Sequence, residues 1–184
     1  MPSPVKLATL LDVAHMTRIV QETFETPWSM QMLRATVLNH AYDARVIRKP
    51  AGGLVGFFIS HTVQTDSNLD IVAVEAALRC KGIGTHLLET WIQSARLRNL
   101  HGLTLQVNTH NVRAKALYEG LAFRTARLLH DYYPNGDDAY EMRRPVGAEV
   151  DQPPLPRGPA QRPTQEPVTQ PAPEVPPRPR PNGR

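Results

Sequence analysis

The stretch LRCKGIGTHLLETW, residues 78–91, places two glycines between an apolar segment and the start of an amphipathic helix. Gly82 and Gly84 let backbone N–H groups converge on one point, and the positive end of the helix dipole is directed at the same point. Such a junction predicts an anion-binding loop. It is neither a Walker loop, because no G-x-x-x-x-G-K-[ST] run is present, nor a dinucleotide fingerprint, because Leu87 stands in place of the third glycine.

The composition of the chain excludes several classes of protein. The 184 residues suit one domain of ordinary size, and the single cysteine, Cys80, leaves no internal disulfide. Because Cys and His residues do not occur at metal-ligand spacing, we expect no metal site. The single cysteine suits a reducing compartment, so we expect a cytoplasmic setting. No apolar run reaches the ~18 residues of a membrane helix, and the N-terminus does not resemble a secretory signal. The net charge of +4 is scattered and aromatic residues are few, so we expect neither nucleic acid nor a membrane as partner.

The chain divides by composition near residue 145. Between Pro145 and Arg184, 13 of 40 residues are proline and none is aromatic. Such a segment cannot bury enough apolar surface to fold. We therefore expect a folded domain over residues 1–144 and a disordered, proline-rich tail over residues 145–184. A PxxPxR sequence from Pro173 to Arg178 suits an SH3-type groove, although a spacer is the simpler interpretation.

The first 144 residues predict strands and helices in the order β-α-α-β-β-β-α-β-α-β-β. Strands are predicted over VKLATLL (5–11), ARVIRK (44–49), LVGFFISHTV (54–63), LDIVAV (69–74) and GLTLQVN (102–108), followed by two strands around the turn signal Asn135-Gly136. Helical spacing and capping residues predict helices that begin at Asp12, Ser29, Ile83 and Asn111. The fold class is therefore α/β.

Two motifs resemble the cofactor-binding segments of the GNAT N-acetyltransferases. R-x-x-G-x-G, residues 79–84, resembles the acyl-CoA pyrophosphate loop of that family, and N-x-x-A-x-x-L-Y-x-x-x-A-F, residues 111–123, resembles its second cofactor motif at the expected distance. Ala76 and Ala122 depart from the pattern, since they replace a proline and a glycine that shape turns. The resemblance implies a mixed, mostly antiparallel sheet of about seven strands with helices on both faces, splayed between strands 4 and 5.

The segments TPWS (26–29) and DYYPNGDDAYEM (131–142) narrow the resemblance to the RimI-like ribosomal-protein alanine N-acetyltransferases. Those enzymes acetylate the α-amine of a protein N-terminus, in a groove between the loop after the first helix and the last hairpin. The resemblance therefore implies that Pro27, Trp28, Tyr132 and Tyr133 contact the acceptor, which is a protein N-terminus or peptide, for example of a ribosomal protein. The oligomeric state is not predicted.

The same resemblance implies acetyl-CoA as the co-substrate. Its pyrophosphate would bind to the glycine loop, and its pantetheine arm would pair with the fourth strand as an added strand and contact the second motif. The residues so assigned are Val72, Ala73, Val74, Arg79, Cys80, Lys81, Gly82, Ile83, Gly84, Thr85, Asn111 and Ala114. Asn111 can act as a helix cap at the same time. Cys80 is not expected to be a nucleophile, because the neighbouring pyrophosphate would disfavour its thiolate.

For catalysis, the resemblance implies a proton donor and leaves the base open. Tyr118 would lie beside the thioester sulfur and return a proton to the leaving thiolate. Gln106 occupies the position on the fifth strand where RimI-like enzymes carry a glutamate base, and an amide cannot take up a proton. The unranked candidates for a replacement base, acting through water, are Asp66, Asp70, Glu75 and His110.

Three functions are compatible with these residues. The leading one is direct attack of an N-terminal α-amine on acetyl-CoA, because an α-amine has a pKa of about 8 and tolerates a missing base better than lysine at about 10.4. The second is acetylation of a small-molecule amine or a lysine side chain. The third is a non-catalytic acyl-CoA-binding module, for which Gln106 is the only support.

Overall fold

The strands and helices follow the predicted order, and the computed structural model describes residues 4–147. The strands are β1 (Val5–Leu7), β2 (Tyr42–Arg48), β3 (Leu54–Val63), β4 (Asp66–Val74), β5 (Gly102–Asn108), β6 (Arg124–Leu129) and β7 (Ala139–Pro145). The helices are α1 (Val13–Thr23), α2 (Met30–Leu38), α3 (Ile83–Leu97) and α4 (Val112–Gly120). The strands form one sheet in the order β1-β2-β3-β4-β5-β7-β6, in which only β4 and β5 pair in parallel. The predicted fold class is confirmed.

The first strand is shorter than its sequence predicts. β1 ends at Leu7, and a 3-10 turn over Leu10–Asp12 leads into α1. The carboxylate of Asp12 was expected to cap α1, but it accepts hydrogen bonds from the N–H and hydroxyl groups of Thr9 and pairs with Arg48. Asp12 and Thr9 form a capping box, which provides hydrogen-bond partners for the start of the 3-10 turn. The chain therefore leaves the sheet before the apolar run ends.

Helices cover both faces of the sheet and form two separate cores. One face packs on α3 and contains Phe58 and Trp91, whereas the opposite face packs on α1 and α2 and contains Met16 and Phe57. The alternation of side chains along β3 places the two adjacent phenylalanines in different cores. The core on the α3 side also includes Val146, so the folded unit extends beyond the expected boundary at residue 144. The rest of the predicted tail, with its PxxPxR sequence, lies outside the described residues.

The strands β4 and β5 separate partway along their length, which opens a gap in the sheet. Their pairing ends at Leu69 with Leu105, although both strands continue beyond that pair. At the same point the register of β3 against β4 shifts and leaves Asp70 as the extra residue of a bulge. A bulge bends and twists its strand. β4 therefore turns away from β5 at Asp70, and the predicted splay is confirmed.

Two kinds of feature are absent from residues 4–147. None of the helices in this range is long and apolar enough to cross a membrane. No three side chains of the His, Cys, Asp or Glu type in this range are grouped so as to hold a metal ion.

Candidate active site

The glycine loop between β4 and α3 presents a row of backbone donors. Gly82 has a left-handed conformation, with a φ of 76°, directly before the first residue of α3, and Cys80 is also left-handed. The first backbone bond of the helix runs from His86 N–H to the Gly82 carbonyl. Within the described chain, no backbone acceptor pairs with the N–H groups of residues 80–85, which include Lys81, Ile83 and Thr85. The loop and the helix end together suit an anion such as a pyrophosphate.

The space at this loop is open on the side where a ligand would lie. A Cβ atom added at Gly82 would meet nothing within 4 Å, whereas one added at Gly84 would meet Leu117 at 3.5 Å, an ordinary contact. Positive charge is available nearby, since Lys81 is exposed and Arg113 of α4 contacts the sulfur of Cys80. Conformation and charge both fit the acetyl-CoA pyrophosphate.

The side chain of Arg79 is directed toward the protein. Its Nε donates to the Val74 carbonyl at 3.1 Å, and its Nη2 donates to the hydroxyl of Thr23 at 2.8 Å. These bonds tie the loop to the end of β4 and to α1. Arg79 therefore shapes the loop, and the phosphate donors are the backbone groups.

The residues 72–74 border the gap between β4 and β5. The N–H of Glu75 binds the Val55 carbonyl on β3. Because peptide groups alternate along a strand, those of Val72 and Val74 face the gap, whereas those of Ala73, whose side chain is buried, face β3. The Val74 carbonyl is occupied by the arginine described above, so the Val74 N–H and both groups of Val72 are available to an added strand-like partner.

Helix α4 carries the second cofactor motif. The Asn111 side chain accepts a hydrogen bond from the Ala114 N–H at 3.1 Å, so this residue caps the helix. Tyr118 is buried, and its ring meets Phe123 edge-on with centroids 6.1 Å apart. Burial, with a smaller contribution from Tyr133, raises the pKa of the Tyr118 phenol well above its ordinary value of 10. Tyr118 therefore stays protonated and available as a hydrogen-bond donor.

Two segments predicted to line the acceptor groove contact each other. Nδ2 of Asn135, in the connection between β6 and β7, donates to Glu25, in the loop between α1 and α2, at 3.3 Å. In the same loop Pro27 is exposed and Trp28 packs partly against the core formed with α1 and α2. Sequence reasoning did not find this cross-link, because two polar residues in separate loops give no periodic signal.

Tyr132 and Tyr133 connect this wall to the gap in the sheet. Their rings form a T-shaped pair with centroids 5.1 Å apart. Burial raises the pKa of Tyr133 to about 12, although the nearby backbone of Asn108, at the end of β5, acts to lower it. The pKa of Tyr132 is raised by burial and then by the charge of Asp70, on the other side of the gap. The tyrosine pair therefore lies over the opening between β4 and β5.

A row of polar side chains crosses the sheet beneath these tyrosines, on the face that packs on α1 and α2. In strand order the members of this polar row are Tyr42, His61, Asp70, Gln106, Glu141 and Arg127. The pairs Tyr42–His61, Gln106–Glu141 and Glu141–Arg127 are in direct register. His61 is opposite Asn68, and its Nδ1 forms a hydrogen bond with the Asp70 carboxylate, two residues further along β4, at 2.9 Å. Sequence reasoning found only Gln106 and Asp70 of this row. A weak signal was present in Glu141, which lies between Tyr140 and Met142 on β7, whereas His61 lies between the polar residues Ser60 and Thr62.

Glu141 is buried in the polar row and remains ionised. Arg127 Nη2 donates to its carboxylate at 2.8 Å, and Arg143 Nε donates at 3.0 Å. Burial acts to raise the pKa of Glu141, but the two guanidinium groups lower it overall. A carboxylate held in this way is a poor proton acceptor.

The carboxylate of Glu75 is held in ion pairs that connect parts of the fold. Its carboxylate forms ion pairs with Arg18 of α1 and Lys49, and these partners lower its pKa. The carboxylate therefore joins α1 and the β2–β3 turn to the end of β4. Its proposed role as a base finds no support in this geometry.

Neither of the other two candidate bases lies at the point where the pairing of β4 and β5 ends. Asp66 is at the start of β4, four residues before Asp70, which places it roughly 13 Å away along an extended strand. The side chain of His110 is 80% exposed and lies 3.8 Å from Asp137. Among the four candidates, Asp70 is the one located where the sheet opens.

The comparison with known families decides the class of this protein. The model described as the acetyltransferase (GNAT) family matches residues 13–123. The chain belongs to the GNAT acetyltransferase family. It is an N-acetyltransferase that uses acetyl-CoA as co-substrate, and the predicted resemblance is confirmed.

Individual relatives give finer information. The "[Ribosomal protein bS18]-alanine N-acetyltransferase" of Escherichia coli (strain K12) is 30% identical over 131 residues, covering 70% of this chain and 87% of that protein. The crystal structure of the Escherichia coli enzyme matches with a TM-score of 0.72 and 26% identity, over 83% of this chain and 99% of that chain. An "N-alpha-acetyltransferase" of Saccharolobus solfataricus is 42% identical over 76 residues, 41% of this chain and 46% of that protein. Arabidopsis thaliana NAA60 in complex with acetyl-CoA shares the fold, with a TM-score of 0.71 and 17% identity over 79% of this chain and 99% of that chain.

Proposed function

We propose that this protein acetylates the N-terminal α-amine of a protein or peptide. The observation that carries the proposal is the contact between Asn135 and Glu25, which joins the two segments expected to border the acceptor, with the tyrosine pair next to them. A groove between these segments would suit the end of an extended chain. The relative named for the alanine of ribosomal protein bS18 supports a ribosomal protein as acceptor. The proposal includes a cytoplasmic location, which a single cysteine supports.

The chemistry of the amine also favours an N-terminus over a lysine. An α-amine has a pKa of about 7.7–8.0, whereas the pKa of a lysine side chain is about 10.4. The difference corresponds to about 3.4 kcal/mol in the free energy of deprotonation. Gln106 cannot take a proton from the acceptor. An acceptor that is already partly neutral at physiological pH therefore suits this site.

The residues present fit the pyrophosphate and the pantetheine arm of acetyl-CoA. The pyrophosphate would bind to the N–H groups of residues 80–85, and the pantetheine amides would bind to Val72 and to the Val74 N–H. This placement brings the thioester to the opening of the sheet. Tyr118 would then donate a hydrogen bond to the departing sulfur. Full proton transfer is uphill, because an ordinary thiol has a pKa of about 8.5, so the contribution is stabilisation of the developing charge.

A set of matched acceptors tests the proposal. A peptide that begins with alanine and contains one internal lysine is compared with the same peptide blocked at its N-terminus and with free polyamines, and mass spectrometry locates the acetyl group. We expect acetylation of the free N-terminus and negligible reaction of the other two acceptors. Modification of lysine or polyamines alone would favour the second function. Acetyl-CoA binding without turnover on any amine would favour a binding module.

A further inference from the structure

We propose that Asp70, held by His61, is the base that takes the proton from the acceptor amine. The inference rests on the proposed function only in requiring an amine as acceptor. Asp70 would contact the reacting nitrogen, directly or through one water, and is therefore proposed as a catalytic residue. His61 acts through Asp70 and is a positioning residue.

The position of Asp70 in the sheet carries this inference. It is the bulge residue of β4 and the first residue after the last pair between β4 and β5. On β5, Gln106 is the first residue after the same pair. The two side chains therefore border the opening of the gap from opposite strands. The carboxylate missing at position 106 is replaced by a carboxylate on the facing strand.

The surroundings of Asp70 hold its carboxylate in one orientation. The Asp70 Oδ2 atom forms a hydrogen bond with His61 Nδ1 at 2.9 Å. No other hydrogen bond to this carboxylate occurs within residues 4–147, so Asp70 Oδ1 is available. The Asp70 side chain is 5% exposed and that of His61 26% exposed. Tyr42 packs against the His61 ring with centroids 5.7 Å apart, and the charge of Asp70 contributes to the raised pKa of Tyr132.

Each element packed around Asp70 contributes an ionisable group. β3 contributes His61, β2 contributes Tyr42, the β6–β7 connection contributes Tyr132, and β7 contributes Glu141, which its two arginines neutralise. Burial raises the pKa of Asp70 more than His61 lowers it, so the carboxylate is a stronger base than usual. The hydrogen bond to Asp70 raises the pKa of His61 above 6.5. The active pair, neutral imidazole with ionised carboxylate, therefore exists above that raised pKa and is lost as the pH falls through it.

The reaction would proceed by proton transfer from the acceptor, attack of the amine and departure of the thiolate, with every proton and electron pair accounted for. The acceptor ammonium gives one proton to Asp70 Oδ1, and the freed nitrogen lone pair attacks the thioester carbonyl carbon. The C–N bond forms and the C–S bond breaks, so that the sulfur leaves with the bonding pair as the thiolate of CoA. The second proton of the nitrogen passes to the sulfur through solvent, and Asp70 returns its own proton to water.

The deciding experiment compares Asp70→Asn with Asp66→Asn, a matched change on the same strand outside the site. The rate constant kcat is measured at saturating acetyl-CoA and acceptor, which reports ionisations in the complex. At about pH 7 we expect kcat to fall roughly 10²-fold in Asp70→Asn and to stay unchanged in Asp66→Asn. The loss should shrink to a few-fold at about pH 9.5, where an α-amine is already neutral. A loss that is the same at every pH, or no loss, would overturn the proposal.

A second variant keeps the test decisive if Asp70→Asn does not fold. His61→Gln keeps a hydrogen-bond donor to Asp70 and removes the titrating ring. It should retain kcat within about 10-fold and lose the acid inflection of wild type above pH 6.5. An inflection that persists in His61→Gln would contradict the pairing. If wild type acetylates only a lysine or a small amine, the proposed function fails, and the same pH comparison with that amine still decides the role of Asp70.

Discussion

The cofactor half and the acceptor half of this site are built from different groups. The cofactor half consists of backbone, namely the N–H groups of residues 80–85 and the peptide groups of Val72 and Val74 that face the gap. The acceptor half consists of side chains, because the polar row draws one residue from each of six strands. Any residue except proline supplies an N–H, so the first half depends on conformation. The second half depends on the identity of each residue.

Changing the backbone conformation should have the largest effect. Gly82→Val places a β-branched residue at a φ of 76° and fills the open space at the loop. We expect acetyl-CoA binding, measured by calorimetry, to be lost while the domain remains folded. Gly120→Ala is the control, because Gly120 lies outside the loop and its new methyl group would meet nothing within 4 Å. Normal binding by Gly82→Val would contradict the assignment of the loop.

Removing one side-chain donor should affect turnover without affecting binding. Tyr118→Phe keeps the buried ring and its edge contact with Phe123 but removes the hydroxyl. Because a donor to the departing sulfur acts in the transition state, kcat should fall by about 10²-fold. The Kd for acetyl-CoA should stay within about 2-fold, since the ground state does not need this hydrogen bond. Equal turnover in wild type and variant would remove Tyr118 from the mechanism.

The same contrast explains how much the sequence could predict. The loop was identified because glycines before a helix are a local signal, and β3 and β5 were predicted with the bounds that the structure has. The polar row depends on strand register, which residues far apart in sequence set together. Asp70 was one of four equal candidates until the bulge showed that it lies at the opening of the sheet. The sequence alone could not exclude Glu75, because its ion pairs with Arg18 and Lys49 form only in the folded chain.

Adding a charge to the polar row tests whether its members act together. Gln106→Glu places a carboxylate in direct register with Glu141 and level with Asp70. Like charges directly opposite each other should lower the free energy of unfolding by roughly 0.5–1 kcal/mol. The added negative charge should also raise the pKa of His61 further and move the acid limb of kcat to higher pH. A faster rate below about pH 7 would instead show that position 106 is the site of the base.

The smallest expected effect concerns Ala122, at the end of the second cofactor motif, where an alanine has a left-handed backbone conformation. Ala122 follows α4 with a φ of 63°, and its N–H binds the Glu119 carbonyl at 3.0 Å. A left-handed conformation costs an L-residue about 1 kcal/mol relative to glycine, although glycine also loses more entropy on folding. Ala122→Gly should therefore raise the free energy of unfolding in urea by about 0.5 kcal/mol, with a small rise in Tm. Ala116→Gly, the same change at an exposed position inside α4, should lower it by about 1 kcal/mol. If both variants are destabilised equally, the left-handed conformation at Ala122 carries no strain. The backbone conformation at this end of the second cofactor motif would then not limit stability.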